Sequence, residues 1–253
     1  MRDVAIVTLS GYADIFEHLA DSIDKCGLKD VKIVVADRDL TPKIIRPKWA
    51  VITGVSPFCF AANANLGIQA VPEHDVLLTN DDVTFLDPET VWTLQHIAYN
   101  HPEVGILSPT IYGGVGNQLQ IHHEIPEEVV YSEQRLAFVC VFLRREILDE
   151  IGPLDERFTG YGGEDTDYNL RAQILGYKLG VTSRVRIAHG YDEIPSTMTY
   201  RRAFAAQKGQ MAADMEIVLS EKWKRNEQQV QMKWSEATQL TNEGITELSR
   251  AIS

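Results

Sequence analysis

The chain has 253 residues, a length that allows one large α/β domain or two small ones with a substantial core. Its content of 44% hydrophobic and 24% charged residues is typical of an ordinary globular protein. The net charge of -12 argues against a surface that binds nucleic acid or anionic lipid by neutralising phosphates.

The cysteines and the apolar runs exclude further classes of protein. Cys26, Cys59 and Cys140 lie far apart and form no CxxC pair, so the sequence predicts neither a disulfide framework nor a zinc site. The first residues lack the length and flanks of a signal peptide. No window approaches the roughly 18 to 20 apolar residues of a membrane span. We therefore expect a cytoplasmic protein without a transmembrane segment.

Short apolar runs alternate with amphipathic segments over the first eighty residues. Ile15, Leu19 and Ile23 lie four apart, a helical stripe that Gly27 ends. Strands that alternate with helices favour parallel βαβ units, with both faces of the sheet covered. The pattern predicts strands at residues 4–9, 31–36, 49–53 and 76–79, and helices at residues 14–25 and 60–69.

The alternation continues to about residue 190. Asp87 is placed to cap a helix that runs to about residue 100 and carries Pro88 in its first turn. Residues 109–135 contain three glycines and little periodicity, which is typical of a functional or mobile loop. The pattern predicts further strands at residues 104–107, 136–143 and 181–188, a short helix at residues 145–151, and a helix from near Glu164 to Gly176.

The composition changes near residue 196. We predict one α/β domain over residues 1–195 and a C-terminal helical extension over residues 196–253, which is rich in Gln, Glu, Lys and Ala. The amphipathic extension either supports a homo-oligomer or packs back on its own domain. Trp223 and Trp234 are expected in such packing or subunit contacts.

Polar side chains follow several predicted strands at the point where each strand ends. Asp37 follows the second strand, Asn80, Asp81 and Asp82 follow the fourth, and His189 follows the last. Ligands of open α/β sheets bind at the carboxyl ends of the strands. We therefore expect these side chains to share one rim.

A second acidic cluster follows two glycines at the start of a predicted helix. Glu164, Asp165 and Asp167 lie in its first turn, where acidic side chains also satisfy free backbone N–H groups and the helix dipole. Taken alone, this cluster is explained as well by helix capping as by chemistry. Its placement together with the acids after the strands favours a binding or catalytic site.

An ordered series of motifs joins these residues. After Asp37 come "AANANLG" (61–67), "TNDDV" (79–83), "IGPLDERFTGYGGEDTDYNLRAQILGY" (151–177) and "IAHG" (187–190). In this order the series resembles a family 2 glycosyltransferase of GT-A fold, a nucleotide-sugar-dependent class. The resemblance implies a Rossmann-like, mainly parallel central sheet flanked by helices, here followed by the C-terminal helical appendage.

The resemblance implies a nucleotide site around the first strands. Asp37 would contact the base or ribose, and Thr8, near the end of the first strand, would line the same pocket. Asn65 and Gly67 match the "NxG" of a helix that abuts the nucleotide.

The resemblance also implies a cation site. Asn80, Asp81 and Asp82 occupy the position of the DxD motif, whose last carboxylate, Asp82, binds the divalent cation, while His189 completes the metal site. Asn80 replaces the first acid with a neutral and weaker oxygen ligand, so it is grouped with the nucleotide-sugar site rather than with the metal ligands. Asp81, in the middle position, is grouped there too, with the ribose, a metal-bound water and solvent as the alternatives for its side chain. Carboxylate and imidazole ligands together suit Mn²⁺ as well as Mg²⁺.

Catalysis is implied for the third motif. Asp165 would be the base that takes the proton of the acceptor hydroxyl, and Glu164 is the second candidate. The family implies an inverting hexosyl- or related transferase. The acceptor can be a glycan, a protein, a small molecule or, as a minor possibility, a modified DNA base. His122 and His123 in the long loop resemble metal ligands, but adjacent histidines in a polar loop are more often solvated, and a lid over the bound donor is the better functional interpretation of them.

Two other functions remain as alternatives. A sugar nucleotidyltransferase would carry a glycine-rich, basic phosphate loop after the first strand, but "TLSGYADIFEH" has one glycine and neither Lys nor Arg. A degenerate nucleotide-sugar-binding protein would lack the base or the metal ligand, whereas Asp82, Asp165 and His189 are all present.

Overall fold

The computed structural model describes residues 1–37, 39–44, 46–113, 116–159, 162–190 and 213–223. Within them the strands are β1 (Val4–Ser10), β2 (Val31–Ala36), β3 (Trp49–Thr53), β4 (Asp75–Asn80), β5 (Val83–Phe85), β6 (Val104–Tyr112), β7 (Val130–Ser132), β8 (Cys140–Leu143) and β9 (Lys178–His189). The helices are α1 (Ala13–Lys25), α2 (Phe60–Gln69), α3 (Thr90–Asn100), α4 (Arg145–Ile151) and α5 (Glu164–Ile174), and residues 213–223 are also helical.

The described strands form one mixed sheet in the order β3-β2-β1-β4-β8-β6-β9-β5, with β7 also paired to β9. The β3-β2-β1-β4 half is parallel, as the alternation of strands and helices predicts. The other half is mixed: β8 runs antiparallel to both β4 and β6, whereas β9 is parallel to β6. The short strands β5 and β7 lie antiparallel to the two ends of β9.

Both faces of the sheet are buried. Along β1, Ala5 and Val7 pack with α2, α4 and α5, while the alternate residues Val4 and Ile6 pack with α1 and α3. This alternation follows from the two-residue period of a strand. Because helices cover both faces, β1 reads in sequence as a continuous apolar run.

Most predicted elements are present, and the α/β fold class is confirmed. The predicted bounds of β2, β3, α2 and α4 agree with the structure. The predicted loop over residues 109–135 is too long, because β6 continues to Tyr112 and β7 occupies Val130–Ser132. The apolar run at residues 136–143 is paired as a strand only from Cys140, since residues before it contact loops and α5.

The predicted cap of α3 is wrong. The helix begins at Thr90, with Glu89 at the capping position and no side-chain cap. The Asp87 carboxylate instead accepts hydrogen bonds from the backbone N–H and the guanidinium of Arg186, at 3.0 and 3.1 Å. A charged partner on β9 therefore replaces the expected local contact.

The C-terminal extension is described in part. Residues 213–223 are helical, whereas the boundary at 195/196, Trp234 and the other residues of 196–253 lie outside the described residues. In the ranges that the structure covers, no helix is both long and apolar enough to cross a membrane.

Helix α2 lies unusually close to the sheet at Gly67. A Cβ at this position would be 2.4 Å from Val7 Cγ1 and 3.2 Å from Val35 Cγ2. We expect Gly67→Ala to lower the free energy of unfolding by at least about 1 kcal/mol, because overpacking outweighs the gain in helix propensity. Urea denaturation would measure this change.

The control for this prediction is Gln69→Ala, an exposed position on the same helix, which should change stability by less than about 0.5 kcal/mol. Val7→Ala opens the contact, so the double variant should lose less than the sum of the two single losses. A Gly67→Ala protein as stable as the wild type would contradict the prediction.

Candidate active site

A cavity of about 700 Å³ opens where β1 and β2 end. Its lining includes Gly11, Tyr12, Asp37, Lys43 and Phe58. A Cβ at Gly11 would lie 3.2 Å from Asp37 Oδ2, so the glycine lets this carboxylate approach the end of β1. The cavity therefore combines a carboxylate, an ammonium group and aromatic rings, which suits a ligand with a planar ring and hydroxyl groups.

The Asp37 side chain is half-buried at the edge of the cavity. Its backbone N–H donates to the Ser10 carbonyl at 3.0 Å, and burial, followed by the charge of Asp39, raises the pKa of its carboxyl. A hydrogen-bond donor such as a ribose hydroxyl would stabilise the ionised form of this group.

Asp81 lies next to the cavity, at the end of β4. Its Oδ2 accepts a hydrogen bond from Ser10 Oγ at 2.6 Å, which joins the ends of β1 and β4. Burial and the charge of Asp82 raise its pKa to about 8. Two adjacent carboxylates in a partly dehydrated place favour either a retained proton or a bound cation.

Asp82 contacts His189 across the β5–β9 pair. Val83 lies opposite His189 in the register, and Asp82 Oδ1 is 3.1 Å from His189 Nε2. The backbone supports this contact, because Gly190 N–H donates to the Asp82 carbonyl at 2.8 Å. The two side chains are 15% and 13% exposed, so both remain reachable from solvent.

The spacing of these two groups suits a divalent cation. An octahedral Mg²⁺ or Mn²⁺ with ligands at about 2.1 Å places neighbouring ligands about 3.0 Å apart. Among the residues that the structure describes, no group of three or more His, Cys, Asp or Glu side chains is arranged to hold a metal. Asp82 and His189 would supply one carboxylate and one imidazole to such a cation, and their separation of 3.1 Å is equally that of a hydrogen bond between the two side chains.

Glu164 and Asp165 form the first turn of α5. Glu164 is 3% exposed, and its Oε2 accepts a hydrogen bond from Gly162 N–H at 2.8 Å. Burial and the charge of Asp165 raise the pKa of Glu164 to about 8. Burial also raises the pKa of Asp165, whose Oδ1 accepts the Thr166 N–H at 2.6 Å.

One short segment connects this turn to the end of β4. Asn169 of α5 donates to the Leu136 carbonyl at 2.9 Å, and Asn80 N–H donates to the Val139 carbonyl at 2.8 Å. Three residues of extended chain span at most about 11 Å. The Asn169 side chain of α5 and the backbone of Asn80 thus bind carbonyl groups that lie within about 11 Å of each other.

The other residues assigned to the nucleotide have packing partners. Thr8 is fully buried in β1 and does not line the cavity. Asn65 exchanges hydrogen bonds with the backbone of Leu154 at 2.9 and 3.0 Å and donates to Glu156 Oε1 at 2.9 Å. Gly67 faces Val7, as described above. Their contact with a nucleotide stays a prediction, and their present role is to hold α2 and the 152–158 loop in place.

The loop histidines pack beside the end of β6. The rings of His122 and Tyr112 lie 4.0 Å apart, and His122 Nδ1 is 3.1 Å from Thr110 Oγ1. His123 is exposed, with its Nδ1 2.7 Å from the Ile121 carbonyl oxygen. The proposed lid role of both residues stays a prediction.

Sequence reasoning missed part of the cavity. Gly11 and Tyr12 follow β1 directly, so the rule that drew attention to Asp37 applied to them as well. Lys43 and Phe58 carried no comparable signal, because they lie in connections between strands.

The mixed sheet with helices on both faces has the GT-A glycosyltransferase fold, as comparison with solved structures shows. Two of the solved structures that share this fold illustrate the similarity. GalNAc-T7 with UDP, GalNAc and Mn²⁺ matches with a TM-score of 0.60 and 14% identity, over 76% of this chain and 44% of that chain. S. aureus TarS 1-349 matches with a TM-score of 0.58 and 15% identity, over 74% and 60%.

One curated protein is similar in sequence. The O-antigen biosynthesis protein RfbC of Myxococcus xanthus is 26% identical over 168 residues, which cover 57% of this chain. This chain spans 13% of that protein. No protein-family model matches the chain.

Burial of the Glu164 carboxyl predicts that the stability of the protein depends on pH. Its folded pKa of about 8 lies above the ordinary 4.5, so the folded state retains a proton that the unfolded chain releases. The free energy of unfolding must therefore fall as the pH rises between these two values. We expect Glu164→Gln to match the wild type near pH 4 and to be more stable by at least about 1 kcal/mol near pH 9.

Urea denaturation at both pH values would measure the difference, with the exposed Glu127→Gln as the matched control. A stability difference between Glu164→Gln and the wild type that does not vary with pH would refute the buried-charge interpretation.

Proposed function

We propose that this chain is a metal-dependent, inverting glycosyltransferase that moves a sugar from a nucleotide-diphosphate sugar to an acceptor hydroxyl. The observation that carries the proposal is the continuous rim from the Asp37 cavity, through the Ser10–Asp81 hydrogen bond, to the Asp82–His189 pair. In this proposal the Asp37 cavity takes the nucleoside, and the neighbouring Asp82–His189 pair takes the cation. A nucleotide diphosphate needs both.

The cavity accounts for the nucleoside end of the donor. Its volume of about 700 Å³ is in the range of small-molecule sites, roughly 300–1,000 Å³. Asp37 would accept hydrogen bonds from the base or ribose, and the rings of Tyr12 and Phe58 supply apolar area. Asp81 and Asn80 would face the ribose and diphosphate beyond the end of β1.

Asp82 and His189 would hold the divalent cation. When bound, such a cation neutralises the diphosphate and stabilises its departure as a Lewis acid. The chain's own contribution is to keep carboxylate and imidazole at a fixed separation. The β5–β9 pairing and the Gly190–Asp82 hydrogen bond do this.

Asp165 is the better placed of the two candidate bases. Glu164 is buried and already accepts the Gly162 N–H, so it is poorly placed to reach an acceptor. Asp165 is half-buried, and its raised pKa brings its basicity closer to neutrality. In the proposed reaction the acceptor oxygen attacks the anomeric carbon and its proton passes to Asp165. The bond to the diphosphate breaks in the same displacement, which inverts that carbon.

The comparisons guide the choice of substrates. The GalNAc-T7 structure holds UDP, GalNAc and Mn²⁺, and the name RfbC refers to O-antigen biosynthesis. We therefore include membership of glycosyltransferase family 2, a uridine nucleotide, Mn²⁺ and a glycan acceptor in the proposal.

A panel of UDP-, GDP- and dTDP-sugars with Mn²⁺ or Mg²⁺, assayed for nucleotide release with and without glycan acceptors, tests it. Absence of binding and turnover for every donor would end the enzyme hypothesis.

The cation ligand gives one prediction. Asp82→Ala should weaken donor binding at least tenfold and make the remaining affinity insensitive to Mn²⁺, because the diphosphate loses its charge neutralisation. Calorimetric titration of donor with and without metal measures both effects. Asp3→Ala, which removes an exposed carboxylate, is the control. Unchanged, metal-dependent binding by Asp82→Ala would remove this residue from the site.

The base gives a second prediction. Asp165→Asn keeps the side-chain shape and a carbonyl oxygen for the Thr166 N–H, so donor affinity should stay within about twofold while kcat falls by roughly 10² to 10⁴. Steady-state kinetics with saturating acceptor measure both quantities. Asp149→Asn on α4 is the exposed control. Wild-type kcat in Asp165→Asn would transfer the role of base to another residue.

A further inference from the structure

The helical segment 213–223 packs against the turn that carries the candidate base. Gly163 is the capping residue directly before α5, and a Cβ on it would lie 2.4 Å from Met215 Cγ. A Cβ on Gly162 would lie 3.9 Å from Met215 Sδ. The side chain of Met215 thus covers the two glycines that precede Glu164 and Asp165.

The same segment supplies a cation to two carboxylates. Lys222 Nζ is 2.7 Å from Asp155 Oδ2 and 2.7 Å from Asp167 Oδ1, and the Lys222 side chain is 18% exposed. Arg157 also pairs with Asp155, at 2.6 Å, and Arg171 with Asp167, at 2.9 Å. Two carboxylates are therefore neutralised by three cations, of which Lys222 alone contacts both acids.

Asp167 is the most demanding member of this cluster. Its side chain is completely buried, and its backbone N–H donates to the Gly163 carbonyl at 2.9 Å in the first turn of α5. A buried carboxylate needs counter-charges, and the removal of one is strongly unfavourable. Loss of the Lys222 ammonium would therefore destabilise the turn that contains Glu164 and Asp165.

Asp155 links Lys222 to helix α2, which lies on the side of the proposed nucleotide site. It lies in the loop whose Leu154 backbone exchanges hydrogen bonds with Asn65 of α2. Arg157 and then Lys222 hold the pKa of the Asp155 carboxyl well below its usual range. One ammonium group thus joins α5, the 152–158 loop and the C-terminal helical segment.

We propose that the segment 213–223 holds the turn of residues 162–167 in its working position, with Lys222 as the positioning residue through its bridge between Asp155 and Asp167. This inference rests on the proposed glycosyl transfer for its catalytic consequence. Lys222 touches neither donor nor acceptor in this scheme. It fixes the backbone from which Asp165 reaches the acceptor.

Lys222→Met tests the bridge, because it keeps most of the side-chain length and removes the charge. Without donor, amide hydrogen exchange of residues 162–168 should become at least tenfold faster, since the first turn of α5 loses its tether. In the transfer assay kcat should fall about tenfold while the donor KM stays within about twofold. Lys222→Arg should restore both quantities to within about threefold of the wild type.

Controls separate this effect from a general loss of stability. Glu216→Gln changes an exposed charge on the same segment, and Lys29→Met removes an exposed ammonium elsewhere, so neither should alter exchange or kcat. All assays are run well below each variant's unfolding temperature. Should Lys222→Met fail to fold, Met215→Ala tests the packing half of the contact and should accelerate exchange at the same amides.

The outcomes are distinguishable. Unchanged exchange at residues 162–168 in Lys222→Met, or faster exchange with wild-type kcat, overturns the positioning role in an active enzyme. A parallel loss of kcat and donor affinity that Lys222→Arg does not restore also overturns it, because it indicates general disruption. Absence of transfer by the wild-type protein with every donor overturns the proposed function instead, while the exchange measurement still decides whether Lys222 tethers the turn.

Discussion

The pairing of β1 with β2 on one side and β4 on the other is the constraint on which the site depends. In this register Ser10 lies opposite Ala36, and Leu9 lies opposite Asn80. Parallel strands end at the same edge of a sheet, so Asp37 after β2 and Asp81 after β4 flank the end of β1. A slip of one residue would turn every alternate side chain to the opposite face and separate them.

This arrangement has an electrostatic cost. Asp81, after β4, and Glu164, at the start of α5, both have pKa values raised to about 8. Ordinary acids of these types titrate near pH 4, so the fold opposes their ionisation at neutral pH. A cation bound at Asp82 would reverse that preference for its neighbour Asp81, and cation binding would release protons. The acidic rim is therefore suited to a ligand that brings a metal with it.

Sequence reasoning reached the parallel half of the fold because its signals are local. The apolar runs of β1 and β2, the helical stripe of α1 and the acids after β2 and β4 each lie within a few adjacent residues. The short strand β5 has no such signal, since three residues carry no period and its pairing partner is about a hundred residues away. Asp87 shows the same limit, because its partner Arg186 is as distant in sequence. The site divides in the same way: Asp37 and Asp82 follow strand ends, whereas the Ser10–Asp81 and Lys222–Asp155 contacts join residues 71 and 67 positions apart.

Strand β9 connects the loop after β6 to the candidate cation site. Its amino-terminal part pairs with β7 and its last residues pair with β5, while β6 runs beside it through most of its length. At the far end Gly113 approaches so closely that a Cβ would lie 2.3 Å from the His189 carbonyl oxygen. The first residue of the loop after β6 thus packs directly against the backbone of His189 in β9. Displacement of Gly113 would therefore move the backbone of His189, one of the two residues proposed to bind the cation.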